Sequence, residues 1–108
     1  MYQITFYVPA SHLDKVKQAL FSAGAGRYRS YDQCSWQTLG QGQFRPLAGA
    51  QPYLGVAGQL TKIAEYKVEM ICESANLPAA LNALFASHPY EQPAYAVQKI
   101  LQASDIAD

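Results

Sequence analysis

What this sequence lacks first is an excess of charge: eight Lys and Arg face eight Asp and Glu, with no run of either sign. That balance argues against the basic stripe of a nucleic-acid-binding surface and against a polybasic membrane face. Long hydrophobic runs are missing too. Nothing approaches the roughly 20 apolar residues of a membrane span. Histidine and cysteine are scarce, with two of each. Cys34 and Cys72 match no zinc or redox spacing. The opening MYQITFYVPA has neither a basic leader nor a cleavage pattern, so a cytoplasmic protein with reduced thiols is expected. There is no G-x-S-x-G nucleophile motif. GQGQFR (40–45) is half of a phosphate loop, without the Gly-Lys-Ser/Thr and helix start that would complete it. No catalytic residue, cofactor or metal is therefore expected.

What is present is a chain that should fold. Half of its 108 residues are apolar and 12% are aromatic, enough for one modest core in a single domain. YQITFYV (2–8) alternates, with Ile4, Phe6 and Val8 on one face of a strand. Ser11 stands where a helix cap belongs, with Asp14 three residues on. Leu13, Val16, Leu20 and Phe21 then recur at helical spacing until Gly24 and Gly26. YDQCSWQTL (31–39) is aromatic and β-prone and reads as a second strand. QLTKIAEYKVEMICE (59–73) alternates again, with Tyr66, Val68, Met70 and Cys72 together. Ser74 or Asn76 caps a second helix with the stripe Leu77, Leu81, Leu84, Phe85, and AYAVQKIL (94–101) is the last strand. The core is expected over 1–101, with a frayed tail at 102–108.

The two halves superpose at an offset of 64 without a gap. Ile4 falls on Val68, Leu13 on Leu77, Leu20 on Leu84, Phe21 on Phe85 and Tyr31 on Tyr95. Two β-α-β halves in tandem specify an α+β, ferredoxin-like βαββαβ sandwich: a four-stranded antiparallel sheet with two helices on one face. The second strand is then an exposed edge. The helix-free face carries a mixed set of side chains from Gln3 to Glu73. Both features point to self-association.

Two segments stand out. The loop at 40–58 holds five of the seven glycines, with Phe44, Arg45, Pro52 and Tyr53 among them. Long loops in compact domains are functional or disordered, and this one is too apolar for disorder. Arg45 is the one charge it offers to a carboxylate or phosphate. The other segment is HPYEQPAY (88–95). Read structurally, His88 ends a helix, Pro89 stops it and Pro93 holds the chain extended, while Tyr90 folds over the end of the core. Read chemically, His88 and Glu91 are metal ligands or an acid–base pair. A metal site would need Glu65 or Glu73 to converge on them, and His12 is expected at the opposite end of its own helix.

G-R-Y-x-x-Y-x-x-C-x-W (26–36), G-x-G-x-F-R-P-L-x-G-A-x-P-Y-x-G (40–55) and H-P-Y-E-x-P-A-Y (88–95) together resemble the inserted domain of the Nif-three-like (YqfO-type) proteins, over roughly residues 1–101. The resemblance implies a CutA/PII-like fold packed as a homotrimer around a threefold axis, with a dimer as the other assembly weighed. In that family a dinuclear metal centre lies in flanking halves that these 108 residues do not match, so its ligands and any cyclohydrolase label are not carried over. The implied role is a non-catalytic oligomeric module. It would bind a small ligand or a protein partner through the 40–58 loop and an intersubunit cleft, using Phe44, Arg45, Pro52 and Tyr53, then His88, Tyr90 and Glu91. The alternatives are a metal-binding protein or hydrolase built on His88 and Glu91, and a structural trimeric scaffold.

Overall fold

The computed structural model describes residues 1–106. Four strands form one antiparallel sheet in the order β2-β3-β1-β4. They are β1 (Tyr2–Val8), β2 (Trp36–Phe44), β3 (Thr61–Cys72) and β4 (Tyr95–Lys99). Helices α1 (Leu13–Ser22) and α2 (Leu77–Ser87) pack side by side on one face. This is the expected ferredoxin-like sandwich, and the two central strands are the two that alternate most cleanly in sequence.

Alternation sets the core. Ile4, Phe6 and Val8 of β1 and Val68, Met70 and Cys72 of β3 turn toward the helices and are buried. The β1–β3 register places Phe6 opposite Val68 and Ile4 opposite Met70, so the six side chains form one apolar patch. Leu13, Val16, Leu20 and Phe21 of α1 close over it with Ala80 and Leu84 of α2. Each fully buried aliphatic or aromatic side chain contributes about 1.5–3 kcal/mol to folding. The outer face is mixed, as expected. There Gln3 donates to Glu69 Oε2 at 2.9 Å, and Lys67 lies 3.8 Å from the same carboxylate.

The offset of 64 holds through strand, turn and helix. A 3-10 turn over Ala10–His12 precedes α1, and one over Ser74–Asn76 precedes α2. Neither helix uses the expected side-chain cap. Ser11 Oγ bonds His12 Nδ1 at 2.8 Å instead, while Asn76 Nδ2 reaches the Gly24 carbonyl across the helix pair. The tight turn takes the place of a capping box by supplying backbone carbonyls before the helix starts. At the other end α1 closes through Gly24 and Gly26, both at positive φ.

Three expectations need correction. The second strand begins at Trp36 rather than at 31 and runs to Phe44, so the glycine-rich segment at 40–44 is strand and the loop proper starts at Arg45. Residues 28–31 instead form a small turn, with Arg29 at positive φ, and Cys34 is pinned back to the Gly26 carbonyl. Phe85 lies outside the core stripe. It is 45% exposed and packs edge-on against Tyr95, and Ala80 takes the inward place. The tail is not simply frayed, since residues 103–105 form a turn capped reciprocally by Gln102 and Asp105; its last two residues lie outside the described residues. Both cysteines are free thiols, Cys72 in the core and Cys34 at the surface. No helix among the described residues is long and apolar enough to cross a membrane.

Candidate functional site

Because β1 and β3 run antiparallel, the start of α1 and the end of α2 lie at the same edge of the sheet. β1 ends there, β2 leaves the sheet there and β4 enters. The loop after β2 folds back over this edge. It is held by the Gly58 amide on the Pro46 carbonyl at 2.7 Å and by the Gln51 amide on Glu91 Oε1 at 3.0 Å. Between loop and sheet lies a cleft of about 620 Å³. Phe44, Arg45, Pro52, Tyr53, Tyr90 and Glu91 all line it. Its floor adds two residues from the helix-free face, Tyr7 of β1 and Glu65 of β3.

His88 lies just behind the wall, 7% exposed. The Tyr90 amide donates to Nδ1 at 3.1 Å, so that nitrogen carries no proton. Nε2 therefore holds the proton and donates it to the Tyr7 carbonyl at 2.6 Å. Burial holds the imidazole below its ordinary pKa, against the opposing pull of the Tyr7 carbonyl. A neutral ring with both nitrogens engaged acts as a clamp, joining the end of α2 to the end of β1.

Tyr90 packs at a tilt against that clamp, its ring centroid 4.8 Å from His88, and lies 6.2 Å from Tyr53 and 6.4 Å from Phe44. Tyr53 also meets His12 edge-on at 5.7 Å. His12 stands at the start of its own helix, as expected, and antiparallel helices bring that start beside the end of α2, where His88 lies. The Tyr90 hydroxyl donates to Glu65 Oε2 at 3.4 Å. Burial, with the adjacent Glu65 charge, pushes the Tyr90 phenol up to about 12. Burial also raises the Glu65 carboxyl above its usual range, with the Tyr90 hydrogen bond opposing the rise.

Glu65 can lie where it does because Gly42, on the neighbouring strand, has no side chain. A Cβ at Gly42 would collide with the Glu65 carboxyl. Arg45 is exposed at the mouth and has no ion-pair partner among the described residues, where Lys67–Glu69 is the ion pair found. Chemically the cleft offers four aromatic rings, one guanidinium, one oriented carboxylate and a second carboxylate that holds the loop. No group of three or more His, Cys, Asp or Glu side chains among the described residues could hold a metal ion. Sequence reasoning missed Tyr7 as a site residue and named Glu65 only as a carboxylate that a metal would require. The alternation that assigns both to the helix-free face was the available signal.

An antiparallel βαββαβ sandwich with a long β2–β3 excursion is a CutA/PII-like fold. The PII-like protein CutA from a Nostoc species superposes with a TM-score of 0.67 at 14% identity, covering 93% of this chain and 81% of that one. The crystal structure of a Bacillus cereus protein related to NIF3 superposes with a TM-score of 0.78 at 32% identity, covering 90% of this chain and 24% of that one. In sequence, the GTP cyclohydrolase 1 type 2 homolog of Mycobacterium leprae is 44% identical over 89 residues, 82% of this chain and 23% of that protein. The chain is homologous to one segment of these Nif3-like proteins, and it spans about a quarter of the length of the curated relatives it matches. No protein-family model matches it.

Proposed function

We propose that this chain is a non-catalytic, homo-oligomeric binding module that takes a small ligand or a protein segment in the cleft under the 45–60 loop. The observation that carries this reading is the cleft itself. Aromatic rings, one guanidinium and one oriented carboxylate converge on a space of about 620 Å³, within the range of small-molecule sites. A binding role is favoured over a catalytic one by the state of His88, whose two nitrogens are both committed to backbone groups. Glu91 is likewise occupied by the Gln51 amide, so the metal-ligand reading of His88 and Glu91 has no free imidazole nitrogen to start from. The cyclohydrolase in the relatives' names belongs to proteins about four times as long as this chain.

Self-association is supported by the edge strand. Trp36 and Leu39, on opposite faces of β2, are 70% and 60% exposed, and Leu47, Val56 and Leu60 of the loop are exposed as well. A trimer is the assembly proposed, by analogy with the CutA/PII-like fold alone, and a cytoplasmic setting suits two free thiols. The test is light scattering on size exclusion, followed by a thermal-shift ligand screen of the wild type and of Arg45→Ala and Tyr53→Ala. A trimer whose stabilising hits vanish in both variants supports the reading. A monomer overturns the assembly, and hits unchanged in both variants overturn the loop as the site.

A further inference from the structure

Three charged side chains line the cleft, Arg45 at the mouth, Glu65 on the floor and Glu91, and none of them is in an ion pair among the described residues. Lys67 and Glu69, two and four residues along β3 from Glu65, pair with each other. Glu91 keeps its charge but anchors the loop, with Oε1 accepting from the Gln51 amide. Glu65 is also oriented: Tyr90 holds Oε2, and the rest of the carboxyl lies over the bare backbone of Gly42, where it receives no protein donor. The second carboxylate oxygen of Glu65 and the exposed Arg45 guanidinium are thus free to exchange water for a ligand of opposite charge. Phe44 and Tyr53 flank Tyr90, tilted 49° and 43° to it, so any one of the three rings offers a face against which a flat molecule can pack.

Building on the binding reading above, we infer that the cleft takes a small planar molecule with two unlike ends: an N–H-rich head that meets the Glu65 carboxylate and an anionic tail that meets Arg45. Complementary charge at both ends fixes orientation as well as affinity. A ligand with one end satisfies one group and leaves the other unpaired.

The experiment uses 4-amidinobenzoate, a flat ring with both ends, and its two halves, benzamidine and benzoate. Binding is followed by NMR chemical-shift titration of the full chain. The two-ended probe should bind about tenfold more tightly than either half, about 1.4 kcal/mol, and should shift the Tyr53 and Tyr90 resonances. Glu65→Gln, which keeps the size and the acceptor for Tyr90, should reduce its affinity to that of benzoate. Arg45→Ala should reduce it to that of benzamidine. Equal binding of all three probes at the cleft, or an unchanged affinity in Glu65→Gln, overturns the two-ended specificity and leaves the cleft as a binding site. No shift at Tyr53 and Tyr90 with any probe overturns both.

Discussion

The two halves of the chain agree up to the end of each helix and then diverge. At an offset of 64, β1, its 3-10 turn and α1 match the second part of β3, its 3-10 turn and α2. Leu20 and Leu84 are equivalent, and both are fully buried. After α1 the chain turns at two glycines of positive φ and wanders thirteen residues before β2. After α2 it turns at His88, and seven residues later it is in β4. The first connector is anchored at its own backbone, by Gly26 to Ile71, Cys34 to Gly26 and the Asn76 side-chain amide on the Gly24 carbonyl. The second is anchored by an imidazole and presents Tyr90 and Glu91 to the cleft. Symmetric packing made the scaffold, and the asymmetric connector supplied much of the site.

The largest effects should fall where the halves are alike. Leu20→Ala and Leu84→Ala should each lower unfolding free energy by about 2–5 kcal/mol, read by urea denaturation. The comparison breaks if one costs several times the other, because equivalent sites in one core should collapse to a similar degree. Next come the two helix ends. Gly24→Ala places a Cβ 2.7 Å from Asn76 Cγ at a φ of +103° and should cost about 1–3 kcal/mol while leaving the cleft resonances in place. His88→Ala orphans the Tyr7 carbonyl and the Tyr90 amide and should cost a similar amount, about 1–3 kcal/mol. Unlike the glycine change, it should also shift the Tyr90 and Tyr53 ring signals. Identical spectra in the two variants would dissolve the distinction.

The second connector should also give stability a pH signature that the first lacks. Neutral His88 contributes fully above its ordinary value of 6.5, and that contribution is lost as pH falls through its lowered folded value, because the unfolded chain takes up the proton more readily. Glu65 has the opposite sense. Its raised folded value favours the protonated fold, so stability should decline as pH rises from 4.5 through that value. Urea midpoints from pH 4 to 8 should therefore lose the acid-side fall in His88→Ala and the upper decline in Glu65→Gln. The smallest effect is expected at Trp36. Exposed on the edge strand, its change to alanine should move the intrinsic stability of one subunit by no more than about 0.5 kcal/mol. A larger loss that depends on protein concentration would mark this edge as a subunit contact.

Most of the fold was legible because burial on one face writes a period into the sequence. β1, α1, β3 and the first turns of α2 carry that period, and each lies where it predicts. β2 was misplaced by five residues because it carries no such period. Seven of its nine residues are exposed and two are glycines, so its span is set by its ladder to β3, from Trp36 opposite Glu69 to Phe44 opposite Thr61. Phe85 was assigned to the core by its place in the apolar stripe of the second helix, but it packs edge-on against Tyr95 of β4 instead. Of the site, the loop and HPYEQPAY were singled out by composition. Their meeting was not readable, since the bond from Gln51 to Glu91 spans forty residues.

The sequence by itself determined the alternating strands, the helical stripes and the doubled βαβ order, because each is a local pattern of apolar side chains at a fixed period. Only the tertiary structure decided that His88 is a committed clamp, that His12 reaches the same edge, and that Glu65 faces Tyr90 across a gap kept open by Gly42. Those outcomes depend on strand register and on antiparallel helices meeting at one end. Register and direction join residues far apart in the chain, and no local pattern records them.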